Sequence, residues 1–168
     1  MTTSDVLREL QIAILPAAIG TIGSVYSNII NMGLMGKIRY ADKSKEVHPY
    51  KPWEDKSETA QPHFRGFKAC QNGTEWTVYV LPVLWLYVLY TPAIPLVGRY
   101  LPWTGAGLGL AFGYFNTKYV EGYIVSADAR IKQFSRRTLV MRILFYGTLA
   151  GLAATGASRP RTPIIRVS

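Results

Sequence analysis

Apolar and polar positions alternate along this chain on the scale of whole helices. Leu10 to Met35 is a run of 26 residues without a charge, long enough to cross a bilayer as a tilted helix when ~20 residues suffice. It exceeds the ~7–15 apolar residues of a signal peptide, and the start MTTSDVLREL has no positive excess, so it reads as a retained helix one over about 7–36. Pro16 predicts a kink in it. Gly20, Ser24, Ser27 and Asn31 share one face, a seam of small residues and an amide of the kind by which membrane helices approach one another, and Asn28 adjoins it. This pattern predicts packing.

Residues 37–61 form a polar loop. Gly36 to His63 carries six basic residues, five acidic ones and three prolines. Phe64 to Trp85 then passes from charged to apolar without a turn signal, which predicts helix two over about 62–90. Pro62 suits its first turn, while Thr91-Pro92 and Ile94-Pro95 stop it. Arg65, Lys68, Asn72, Glu75 and Tyr79 recur at spacings of three, four, three and four, which keeps them on one face at 3.6 residues per turn. Hydrocarbon would leave this stripe unsatisfied at several kcal/mol, so it must face protein or water.

The Pro-rich connection to Trp103 is short and predicts a tight antiparallel hairpin. Helix three follows over about 103–130. Its apolar run Leu101 to Thr117 is continued by KYVEGYIVSADAR, in which Tyr119, Tyr123, Ser126 and Arg130 share a face. Helix four covers about 135–157, with Arg142 near its entry, and a basic tail occupies 158–168. The expected fold class is all-α, one integral membrane four-helix bundle over 1–168.

Composition sharpens this. The chain has 168 residues, 49% of them hydrophobic and 17% charged, against roughly 25% charged in soluble domains. A lone cysteine, Cys70, excludes an intrachain disulfide and a multi-cysteine metal site. His48 and His63 lack metal-ligand spacing. The net charge of +9 could suit nucleic acid, but the charges fall at membrane edges, and no nucleic-acid partner is expected. Fourteen of the nineteen Lys and Arg lie on the face of loops 37–61 and 126–136, with Lys132, Arg136 and Arg137 read as part of this topology signal. That face is then cytoplasmic, with both termini opposite. The expected membrane is the endoplasmic reticulum or nuclear envelope, with a mitochondrial membrane as the alternative.

With helix two entering by that face and helix three leaving by it, the two stripes sit at one depth and predict a pocket. Cations with a carboxylate, an amide and phenols suit a zwitterion carrying more negative than positive groups. Glutathione is such a ligand, and arginine beside its sulfur would lower a thiol pKa from ~8.5 toward neutrality.

RGFKACQNGTEW, with Trp85 nine residues on, and KYVEGYIVSADAR resemble the membrane-associated proteins in eicosanoid and glutathione metabolism (MAPEG). This family includes microsomal glutathione transferases, leukotriene C synthase and the lipoxygenase-activating protein. The synthase pattern lies without a gap on Arg65 to Trp85 and on Tyr119 to Arg130, and topology alone aligns the rest. The resemblance implies that Asn72 and Glu75 contact glutathione, with Tyr119 and Tyr123 opposite, and that Arg130 is the catalytic arginine holding the thiolate. Lys68 stands for an arginine that grips a glutathione carboxylate, Cys70 for a glutamine and Trp76 for a tyrosine. The expected glutathione site is thus Arg65, Lys68, Asn72, Glu75, Tyr119 and Tyr123, with Arg130 as the catalytic residue. The resemblance further implies glutathione as co-substrate, a lipophilic partner arriving from the bilayer, and a homotrimer with the seam of helix one as its inner contact. Two other readings remain open: a non-catalytic lipid-binding scaffold, and a subunit of a larger membrane complex.

Overall fold

The computed structural model describes residues 3–41, 60–126 and 131–157. Its elements are four helices, α1 (Thr3–Ala41), α2 (Ala60–Tyr90), α3 (Leu101–Val125) and α4 (Ile131–Ala157), with two 3-10 turns between α2 and α3. The all-α, four-helix expectation is met. Its boundaries move outward at all four helix starts: α1 runs over Thr3–Ala41 instead of 7–36, α2 starts at Ala60, α3 at Leu101 and α4 at Ile131. Pro16 and Pro82 both lie inside continuous helices.

Helix three is shorter at its end than the periodicity predicts. It stops at Val125, where Ser126 turns extended with φ −158° and ψ 160° and its N–H still bonds to the Gly122 carbonyl. The face proposed for Tyr119, Tyr123, Ser126 and Arg130 is therefore helical only through Tyr123, and Arg130 lies outside the described residues. Most of loop 37–61 and all of tail 158–168 do too.

Prolines and a threonine close the other end of the bundle. Thr91 is buried and donates its hydroxyl to the Tyr87 carbonyl at 2.6 Å, while the Gly98 N–H reaches the Ile94 carbonyl at 2.9 Å. Gly98 packs directly on the backbone of Pro92, where a side chain would collide. Leu96, in the middle of this connection, has φ 70° and is 97% exposed.

The bundle is organised around α3, which packs against each of the other helices. Its glycines set the distance to α1. A Cβ on Gly109 would lie 2.5 Å from Gly20 Cα, and one on Gly113 would collide with the Gly23 carbonyl. Ser24 bridges this contact, its hydroxyl lying 2.9 Å from the Gly20 carbonyl and 3.2 Å from that of Gly109. Such close approach is how membrane helices gain packing where lipid offers no hydrophobic drive. Ser24, Ser27 and Asn31 are all buried inside the chain's own bundle. The seam therefore cannot be the inner contact of a trimer, because α3 already fills it. Below it lies the apolar core, built from Ala13 and Ala17 of α1, Val80, Leu84, Tyr87 and Val88 of α2, Phe112 of α3, and Val140 and Leu144 of α4.

Three helices, over Ile12–Ile38, Phe64–Ala93 and Gln133–Ala157, are long and apolar enough to cross a membrane. Their outer faces carry Ile22, Ile29, Met32, Val78, Leu139 and Leu149, which suits a lipid bilayer as the surroundings. The 25-residue α3 is not among these three. Gly105, Gly107, Gly109, Gly113, Asn116 and Lys118 dilute its hydropathy, and close packing against neighbouring helices accounts for Gly105, Gly109 and Gly113.

Candidate functional site

Arg137, Val140, Leu144, Thr148 and Gly151 make the buried stripe of α4. Arg137 heads this stripe with its side chain 0% exposed. Its Nη1 donates to Asn116 Oδ1 and its Nη2 to Asn72 Oδ1, both at 2.9 Å. Three aromatic rings surround the guanidinium: Tyr119 at 4.2 Å, Trp76 at 5.0 Å and Phe134 at 5.6 Å from the ring centroids. Among the described residues no carboxylate pairs with it, and its Nε has no acceptor. The cation is thus held by amide oxygens and ring faces, contacts that each offset part of its desolvation.

The network continues through all four helices. Asn116 passes its Nδ2 protons to Ser27 Oγ at 3.2 Å and Asn28 Oδ1 at 3.4 Å. Asn28 Nδ2 donates in turn to Thr77 Oγ1 at 3.2 Å, and Thr77 donates to the Gly73 carbonyl at 3.0 Å. Gly73 lets Asn116 come this close to α2, since a Cβ there would stand 3.0 Å from both amide atoms of Asn116. A guanidinium has only donors, so both asparagines must turn their oxygens toward Arg137. The network therefore has a direction, running outward from the cation.

The predicted stripe of α2 divides around this centre. Gly66, Ala69, Gly73 and Val80 point into the bundle, one position beyond Arg65, Lys68, Asn72 and Tyr79, and Thr77 does so two beyond Glu75, so the stripe lies on the flank of the buried face. Arg65 reaches inward, with Nε and Nη2 donating to the Ile124 carbonyl at 3.3 and 3.1 Å. Asn72 is half-buried on Arg137. Lys68, Glu75 and Tyr79 are exposed, Tyr79 at 66%. Glu75 accepts a hydrogen bond from Gln71 at 3.3 Å. On α3, Tyr119 is buried beneath the guanidinium and stacks on Tyr123, with ring centroids 5.9 Å apart and planes 12° from parallel. Ala69 packs with Tyr119 and Val120, so the two helices meet where both stripes run.

The structure thus brings Asn72, Tyr119 and Tyr123 together with Arg65 close by, and sets Lys68 and Glu75 on the adjoining outer face. Cys70 is half-buried and lies 3.5 Å from the Asn31 carbonyl. Asn31 itself is 1% exposed, and among the described residues neither end of its amide has a partner. Among the described residues no three His, Cys, Asp or Glu side chains gather to hold a metal. Arg142 is exposed, as is Arg136, whose guanidinium lies 5.8 Å from the Phe115 ring.

Sequence reasoning missed Arg137 and Asn116. Arg137 sits among Lys132 and Arg136, where it reads as part of the topology signal, yet its spacing to Val140, Leu144 and Thr148 places it alone of the three on the apolar stripe of α4. Comparison with protein-family models and with curated proteins finds no match to the chain.

Proposed function

We propose that this chain is a glutathione-dependent membrane transferase or peroxidase of the MAPEG type. The observation that carries this reading is that the two stretches with the family's pattern run side by side. Arg65 bonds to Ile124, Ala69 packs on Tyr119, and Asn72 and Tyr119 share the Arg137 guanidinium. Glutathione is then held by Arg65, Lys68, Asn72, Glu75, Tyr119 and Tyr123, and Arg130 favours its thiolate. In conjugation the sulfur bonds to an electrophilic carbon, and the displaced group leaves with the electron pair of its broken bond. In peroxide reduction, two glutathiones give a disulfide while the hydroperoxide becomes an alcohol and water. Holding both reactants at the membrane boundary supplies rate by raising their effective concentration.

Lys68, Glu75 and Tyr79 lie within the apolar span Phe64–Ala93, exposed on the outer face of α2. Hydrocarbon is a costly place for a carboxylate, and this supports a homotrimer in which a second copy covers that face and completes the site. The charge distribution supports a cytoplasmic placement for the end bearing Arg65, in the endoplasmic reticulum, nuclear envelope or a mitochondrial membrane.

Glutathione conjugation to a generic aryl halide, measured in liposomes on the wild type and on Arg130→Ala, tests this. Activity that falls at least about tenfold in Arg130→Ala supports it. No activity together with no saturable glutathione binding overturns it in favour of a lipid-binding scaffold, and recovery of the native protein only with other subunits favours a role within a larger membrane complex.

A further inference from the structure

Arg137 is a poor device for stability. Burying a guanidinium is costly, and here no carboxylate among the described residues offsets the cost. What it gains is orientation. An asparagine amide can turn either end toward a neighbour, but a guanidinium accepts nothing, so Nη2 fixes Asn72 with Oδ1 inward at 2.9 Å. Nη1 fixes Asn116 in the same sense, and the aromatic rings of Tyr119, Trp76 and Phe134 close around the cation. The Nδ2 end of Asn72 has no partner among the described residues and is not sealed in the interior.

We infer that Arg137 is a positioning residue for the proposed site, locking the half-buried Asn72 amide so that it offers its two N–H donors outward to a ligand carbonyl or carboxylate. This rests on the glutathione reading and adds to it the residue that sets the polarity of one contact. Arg137 touches no ligand in this arrangement. It acts through Asn72, and it makes that position selective for acceptors over donors.

The test uses radiolabelled glutathione and the full chain in detergent or liposomes, with Asn72→Asp and Arg137→Lys as variants. Asn72→Asp places a carboxylate on Arg137, keeping an inward acceptor while removing the outward N–H. It should fold with a thermal midpoint no lower than wild type and bind glutathione about tenfold or more weakly, the worth of one lost hydrogen bond. Arg137→Lys keeps the charge but loses the fork that holds two amides at once, so its glutathione Kd should also rise. In turnover, the KM for glutathione should rise in both variants while the KM for the electrophile stays near wild type. A purely structural role would move stability and leave this split absent. Unchanged glutathione affinity in a folded Asn72→Asp protein overturns the inference while wild-type binding keeps the glutathione reading. A wild type that binds no glutathione overturns both.

Discussion

The contact between α1 and α3 leaves no space for a methyl group at Gly109, while the same helix has open space at Gly107. An alanine Cβ at Gly109 would stand 2.5 Å from Gly20 Cα and from the Gly20 carbonyl oxygen, and 2.7 Å from its carbonyl carbon. These are backbone atoms of a helix, so no side-chain rotation relieves them. The helices must separate by about 1 Å to reach ordinary carbon–carbon contact near 3.5–4.0 Å. That movement stretches the 3.2 Å bond from Ser24 Oγ to the Gly109 carbonyl beyond hydrogen-bonding range. Overpacking of this kind costs about 1–3 kcal/mol, and a hydrogen bond between membrane helices adds about 0.6 on average. Gly109→Ala should therefore lose roughly 2–3 kcal/mol. Gly107→Ala, with nothing within 4 Å, should be neutral or gain up to about 1 kcal/mol from helix propensity. Reversible unfolding in mixed micelles, followed by circular dichroism, compares the two. Equal stability in both variants would refute the claim that the α1–α3 distance is set by glycine.

Asn116→Leu removes the acceptor of Arg137 Nη1 and the donor to Ser27, and should destabilise by about 3 kcal/mol or more, seen as lost folded yield in size-exclusion chromatography. Leu96→Gly frees a left-handed residue that contacts little, and should raise the unfolding free energy by up to about 1 kcal/mol. Cys70, half-buried against the Asn31 carbonyl, should react with maleimide about tenfold or more slowly than a cysteine placed at the exposed Lys68 position in a Cys70→Ser background.

Hydrophobic runs and prolines made the helices readable. The uncharged stretch from Leu10, the stop at Thr91-Pro92 and the restart at Pro102 each describe a single segment and its solvent, which is what local pattern encodes. The seam Gly20, Ser24, Ser27, Asn31 was legible as a packing face, but its partner was not, because small residues look alike from either side of an interface. The end of α3 was misplaced for a related reason: Ser126 keeps the helical spacing although the backbone has left the helix there. The site was half legible. Asn72 and Tyr119 stood out as polar residues at helical spacing, but a one-residue rotation of α2 separates the flank from the interior, and periodicity alone does not resolve it. Asn116, isolated in an apolar run, and Arg137, hidden among other cations, acquire meaning only when four helices converge.

The buried arginine also bears on how the chain is made. A charged side chain inside a membrane helix is costly, and Arg137 lies within the span Gln133–Ala157, near its start. Its two acceptors, Asn72 and Asn116, come from α2 and α3, which leave the ribosome earlier. When α4 emerges, the amide oxygens that receive its cation have already been synthesised. The order of the segments along the chain is thus also a workable order of assembly, with the buried cation arriving after its acceptors.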